Sequence, residues 1–333
     1  MSRSIKNLTA LLFALLLLCL MMALSLALGE KSLSVSTVMS ALNGQCTGAD
    51  CVIVTDARVP RTFAGLLAGM ALGLSGALMQ ILTRNPLADP GILGVNAGAA
   101  FAVVIGIAFF GATGVGSYLW FAFAGALLAT LLVAMIGALG RGKLDPVRLT
   151  LAGVALGAVL EGLSSGISLL NPTVYDQLRF WQAGTLDIRN IAVIKTITPP
   201  VMLAVVLSLL MTRSLNNLSM GSELATALGT KIATTQLLGL LAITLLCGSA
   251  TAAVGPIAFV GLMVPHMARW ICREDPRWML PWTLVLTPTL LLAADIAGRF
   301  LVTGELRVSV VVAFIGAPVL IFLVRRPGGL RRG

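Results

Sequence analysis

The chain has 333 residues, 58% of them hydrophobic and 11% charged, with a mean hydropathy of +0.98. Soluble chains carry about a quarter charged residues, so this composition excludes a water-soluble globular enzyme and defines a polytopic membrane protein. The net charge of +10 does not point to nucleic acid, because the basic residues are scattered through short loops, where they set membrane orientation.

The chain opens with Arg3 and Lys6 ahead of an apolar run over 8–28. About 20 apolar residues are enough to cross a bilayer, and no small-residue cleavage site follows, so this run reads as a first span rather than a signal peptide. A polar loop comes next and carries Cys46 and Cys51, which can close a small disulfide loop in an oxidising compartment. Cys19, Cys247 and Cys272 stand apart. Two thiols and a distant lone His266 do not make a zinc site, so no metal is expected. Further apolar windows cover 62–82, 92–111, 118–139, 147–170, 191–211, 236–254, 257–271, 279–298 and 306–324.

Two of these divisions follow from length. Residues 90–140 carry no charge, which is too long a run for one helix rising about 1.5 Å per residue through a core of about 30 Å. Gly111 to Gly116 is the natural break, and Gly255-Pro256 divides 237–268 in the same way. Residues 1–333 thus read as a single all-α transmembrane domain of about ten helices, with no loop long enough for a separate folded unit. Gly65, Gly69 and Gly73 form one stripe of small residues and Gly153 with Gly157 another, as close helix packing in lipid requires.

With ten spans, fifteen of the 23 basic residues fall on one side. They include Arg84, Arg141, Lys143, Arg148, Arg213, Lys231, Arg269, Arg273, Arg277, Arg326, Arg331 and Arg332. The excess places both termini, and the polar segment 213–235, in the cytoplasm.

That segment is among the least hydrophobic parts of the chain. Ser219 and Ser222 are suitable N-caps, Leu224, Ala225 and Leu228 give a short apolar stripe, and Gly229 stands where a helix C-cap prefers it. Two readings fit: a solvated loop between spans, or an exposed helix that docks a soluble partner.

Two ionisable residues fall inside spans. Asp295 has Arg299 one turn later and can pair with it near the outer end. Glu161 is costlier, since a carboxylate within a span is expensive and usually functional. It fits a structural glutamate or the coupling group of a stand-alone ion-coupled carrier. A receptor-like or purely structural membrane protein is a third reading. No G-x-x-x-x-G-K followed by Ser or Thr is present, and His266 has no cysteine or carboxylate at catalytic spacing. The chain reads as a non-enzyme, and any ATP-driven work belongs to another subunit.

Several segments occur together: Arg58-Val-Pro-Arg61, Asn85-Pro-Leu-Ala-Asp-Pro-Gly91, Leu151-Ala-Gly-Val-Ala-Leu-Gly157, Ala225-Thr-Ala-Leu-Gly229, Pro265-His-Met-Ala-Arg269 and Gly316-Ala-Pro318. In this order they resemble the permease subunits of iron-siderophore and vitamin B12 ABC importers, over about residues 8–326. Val174-Tyr-Asp-Gln-Leu-Arg-Phe-Trp-Gln-Ala-Gly184 and Gly304-Glu-Leu-Arg-Val-Ser-Val310 are most similar to the ferric-enterobactin branch.

The resemblance implies a type II ABC importer permease fold in the bacterial inner membrane. It further implies a second, distinct permease, two cytoplasmic ATPase subunits that use ATP, and a periplasmic siderophore-binding protein. By the same resemblance, Glu223, Leu224, Ala225, Leu228 and Gly229 couple to the ATPase. Arg58, Arg61 and Arg299 dock the binding protein, and Asn85 and Leu87 belong to the cytoplasmic gate. At a second gate position this chain has Asp145-Pro146-Val147, where the vitamin B12 branch has small hydroxyl residues. Ferric enterobactin is a large anion, which makes Glu161 an awkward path-lining group and favours a helix-packing role for it.

Overall fold

A computed structural model describes residues 3–29, 31–138, 145–272, 275–302 and 304–325. Arg141, Lys143, Arg273, Arg326, Arg331 and Arg332 of the basic set lie outside the described residues, as does position 139 of the expected fourth span.

The described residues are nearly all helical. In chain order the helices are α1 (Arg3–Ala27), α2 (Val35–Leu42), α3 (Ala49–Thr83), α4 (Val95–Phe110), α5 (Val115–Ala138), α6 (Pro146–Leu170) and α7 (Pro172–Gln182). They continue with α8 (Ile191–Leu210), α9 (Thr212–Ser219), α10 (Ser222–Ala227), α11 (Ile232–Val254), α12 (Val260–Cys272), α13 (Pro276–Leu301) and α14 (Val308–Arg325). Seven are long and apolar enough to cross a membrane: α1, α3, α5, α6, α8, α11 and α13. α4 and α14 are shorter apolar helices. α12 has 13 residues, about 20 Å at helical rise, which is short of a bilayer core of about 30 Å.

The two breaks expected from length are made by glycine. α4 ends at Phe110 and Gly111 turns left-handed at φ 63°, while Gly255 at φ 75° ends α11 ahead of Pro256. α3 is longer than its apolar window. After an opening α-helical turn at Ala49–Val52 it is π-helical over Ile53–Arg58, and it reaches back to the disulfide between Cys46 and Cys51.

α3 is the axis of the bundle, packed along its length by α13, α11, α12 and α8. Leu74, Leu78 and Met79 are buried in its centre. A seam of small residues brings α13 close. A Cβ on Gly69 would lie 2.4 Å from the Pro288 backbone, one on Gly73 2.0 Å from Thr287 Oγ1, and one on Gly76 1.8 Å from the Gly261 carbonyl oxygen of α12. At Gly69 and Gly76 a neighbouring backbone occupies the space a side chain would need, and at Gly73 the Thr287 side chain does. α6 is different. Leu151, Val154, Val159 and Leu163 are exposed, so this chain leaves most of that helix uncovered.

Candidate functional site

Four features bear on function, and α3 relates them. Arg58 and Arg61 lie near one of its ends and Arg84 at the other. Val59–Thr83 alone is 25 residues, which at helical rise separates those ends by about 37 Å.

At the first end, three arginines and two carboxylates form a buried cluster. Arg61 donates through Nε and Nη2 to Asp295 Oδ2 and Oδ1, both at 2.9 Å, and through Nη1 to Glu305 Oε2 at 2.7 Å. Arg299, one turn after Asp295, donates to Asp295 Oδ2 at 2.6 Å. Other guanidinium hydrogens go to the end of α1 and the loop after it, Arg58 Nη2 to the Lys31 carbonyl among them. Arg299 Nη1 reaches the Ser25 and Leu28 carbonyls, and Arg58 Nη1 those of Leu26 and Ala27. A helix C-terminus presents carbonyls with no partner of their own, and here two guanidiniums satisfy them.

The three arginines are only 5%, 8% and 6% exposed. Their donors are turned inward, onto the end of α1, the loop after it, Asp295 and Glu305. The sequence signal for the Asp295–Arg299 pair was its one-turn spacing. Arg61 stands one helical step before Gly65 and so continues the glycine stripe that faces α13. Glu305, at φ 56° in the turn before α14, carried no sequence signal for its part in the cluster.

At the opposite end, α9 and α10 form a short helical hairpin. Leu215 and Leu218 are buried and seat α9 on α3 and α13. Asn217 Nδ2 donates to Thr230 Oγ1 at 2.9 Å and ties the two arms together. Neither serine caps as expected. Ser219 Oγ donates back to the Asn216 carbonyl, and Gly221, at φ 113°, occupies the N-cap of α10 without a side-chain bond. Gly229 closes α10 as expected. It is left-handed at φ 77°, its amide donates to Thr226 O, and the Thr230 amide donates to Ala225 O, both at 2.9 Å. That pair of bonds is a Schellman cap. Ala225 is fully buried beneath the hairpin, whereas Glu223, Leu224 and Leu228 are exposed. Leu224 and Leu228, four residues apart, form the ridge.

The connector between α3 and α4 lies at this same end. Asn85 Oδ1 accepts from the Leu87 amide at 2.9 Å, which leaves Leu87 exposed. Asp89 N-caps a 3₁₀ turn over Pro90–Leu93, accepting from the Gly91 amide at 2.7 Å. Burial pushes the Asp89 carboxyl above the usual carboxylate range, an effect the Gly91 amide opposes. The turn then rests on α6, where a Cβ on Gly153 would lie 1.7 Å from the Ile92 carbonyl oxygen. α6 itself begins with Asp145 accepting from the Val147 amide, and Val147 is exposed.

Glu161 lies on the uncovered face of α6. The helix-packing role expected for it is not found within this chain.

The arrangement defines a class: a helical membrane bundle whose central helix links a charged cluster at one end to an exposed helical hairpin at the other. Residues 15–326 match the FecCD transport family, and the chain belongs to that family. It is 68% identical over 312 residues, 94% of this chain and 93% of the relative, to the ferric enterobactin transport system permease protein FepD of Escherichia coli (strain K12). To FepG of the same organism, also a ferric enterobactin transport system permease protein, it is 34% identical over 89% of each chain. Among solved structures, an inward-facing metal-chelate type ABC transporter superposes with a TM-score of 0.82 at 27% identity, covering 96% of this chain and 99% of that one. The fold is therefore that of an ABC importer permease. The reading as a stand-alone ion-coupled carrier, which rested on Glu161, gains no support from these relatives.

Proposed function

We propose that this chain is one of two permease subunits that carry ferric enterobactin across the bacterial inner membrane, driven by a separate ATPase. The observation that carries this reading is the 68% identity to FepD over 94% of the chain. FepD and FepG are two permease proteins of one transport system, which supports a distinct second permease here as well. The uncovered face of α6 is the natural place for it, because a charged Glu161 facing lipid would cost about 2.5–3.5 kcal/mol.

In this reading both termini are cytoplasmic, and α9–α10 seats the ATPase. Leu224 and Leu228 enter a cleft of that subunit and Glu223 lines its edge, while Ala225 and Gly229 hold the shape. Asn85 and Leu87 sit at the cytoplasmic gate, and no cofactor is bound by the permease itself. The periplasmic binding protein docks on the end bearing Arg58, Arg61 and Arg299. Their three positive charges outnumber the two carboxylates of the cluster, a local excess that would steer an acidic partner.

The test is co-purification in detergent of wild type against Glu223→Ala with Leu228→Asp, followed by uptake of radioiron-labelled ferric enterobactin into proteoliposomes. A charge planted in a desolvated cleft costs several kcal/mol of docking. The expected result is loss of the ATPase with retention of the second permease, and ATP-dependent uptake by wild type alone. Uptake without ATP, or an ATPase held equally by both forms, would refute the proposal.

A further inference from the structure

α7 presents an exposed cationic and aromatic surface that none of the features above uses. Its buried face is Val174, Leu178 and Trp181, three positions at helical spacing that pack it down. The opposite face carries Tyr175 (50% exposed), Asp176, Arg179 and Phe180 (57% exposed). Arg179 lies 5.2 Å from the Phe180 ring centre and 5.9 Å from that of Tyr175. Arg307, from the turn before α14, lies 5.2 Å from the same Phe180 ring. Two guanidiniums thus share one exposed phenyl ring. The carboxylate paired to this group is Asp176, 3.3 Å from Arg179. Arg307 donates through Nη1 to the Phe180 carbonyl, which explains one of its hydrogens as a C-terminal cap and leaves its charge without a carboxylate among the described residues.

The surface lies at the same end of the bundle as the arginine cluster. Arg307 follows Glu305 by two residues, and Glu305 is bonded to Arg61. Resting on the reading as a ferric enterobactin permease, the geometry points to Tyr175, Arg179, Phe180 and Arg307 as an entry site for the ferric catecholate itself. A ferric tris-catecholate spreads its negative charge over aromatic rings. The surface offers the matching features: half-open ring faces beside two cations, with a net positive charge. A compact carboxylate from a docking protein is a poorer fit, because it needs the N–H edges of a guanidinium. Here those edges are partly taken by Asp176 and the Phe180 carbonyl.

The experiment measures equilibrium binding of radioiron-labelled ferric enterobactin to the detergent-purified transporter, both permeases and ATPase, without the binding protein. Wild type is compared with Arg179→Gln plus Arg307→Gln, with Phe180→Leu, and with Phe180→Tyr. ATP-driven uptake and binding-protein docking are measured beside it.

The expected result is a dissociation constant weakened about tenfold or more in the double variant and in Phe180→Leu. Phe180→Tyr should restore it, an uncharged ferric hydroxamate should not compete, and docking and subunit assembly should be unchanged. Equal affinity in all forms, or no binding by a wild type that still transports, overturns the entry site and leaves the permease reading intact. Loss of binding-protein docking assigns the surface to an acidic protein partner, and loss of the second permease assigns it to the subunit interface. Either result overturns the proposal. Failure of wild type to transport ferric enterobactin with its binding protein removes the permease reading and the entry site together.

Discussion

Arg61 shows how a buried charge is made tolerable. Removing an arginine from water is costly, and the cost is met here by a two-pronged bond to Asp295 and a third donor to Glu305. Arg61→Ala should strand Asp295 with Arg299 as its remaining partner and lower stability by about 3 kcal/mol, read as a fall in thermal unfolding temperature in detergent. Lys31→Ala is the control. Lys31 pairs with Asp50 in water, where such pairs contribute about 0–1 kcal/mol, so its melting point should barely move. Similar losses from both variants would contradict the assignment of Arg61 to a buried network.

Asp89 supplies a pH test. Burial raises its folded-state pKa, so the folded chain holds the proton more tightly than the unfolded one. The resulting stability is complete below the ordinary carboxylate range and fades as pH climbs through the raised value. Asp89→Asn keeps an oxygen for the Gly91 amide and has no proton to lose. Its melting temperature should vary less with pH above the ordinary carboxylate range than that of wild type; parallel curves would exclude Asp89 as the source.

Among the elements, the glycine seam and the hairpin behave differently under substitution. Gly76 faces a backbone carbonyl 1.8 Å from where its Cβ would go, and a backbone cannot rotate aside. Gly76→Ala should cost about 1–3 kcal/mol through overpacking. Gly162, on the uncovered face of α6, has nothing within 4 Å of that position. Gly162→Ala should leave the isolated chain as stable as wild type or slightly more so, since alanine favours the helix. Both melting points can be read on the purified subunit, and equal effects would show that the α3–α12 approach is looser than described. Gly229→Ala tests the hairpin. A left-handed alanine costs about 1–2 kcal/mol, enough to loosen the Leu224–Leu228 ridge. Weaker ATPase retention with unchanged melting of the bundle is the expected outcome.

These elements also mark where sequence reading stopped. The Gly65, Gly69 and Gly73 stripe was legible because helical periodicity is local, and so was the Gly229 cap. The capping of α10 by Gly221 was not, because Ser219 and Ser222 are each acceptable caps by type. The fold uses neither: it seats α9 through Leu215 and Leu218 and turns Ser219 back onto its own helix.

For the whole molecule, the uncovered face of α6 is the feature with the widest consequence. Leu151, Val154 and Leu163 are exposed beside Glu161, a mixture that suits neither pure lipid nor pure water. A Val154→Cys variant, in a background lacking Cys19, Cys247 and Cys272, should cross-link to cysteines placed on the second permease. Uniform labelling by a lipid-soluble reagent, with no cross-link, would place that face in the bilayer instead.

Hydropathy and length by themselves determined the class of this protein and the position of its apolar helices. A bilayer of fixed thickness tests every window of the chain independently of the rest, and glycines such as Gly111 and Gly255 mark the ends. The distant partners of its charges were decided by tertiary structure alone. Arg61 and Asp295 are 234 residues apart, and nothing local tells an arginine whether it will meet a partner protein or its own chain. The close packing of α3 on α13 turned that arginine inward, because once the two backbones touch, Asp295 is the nearest group that can satisfy it.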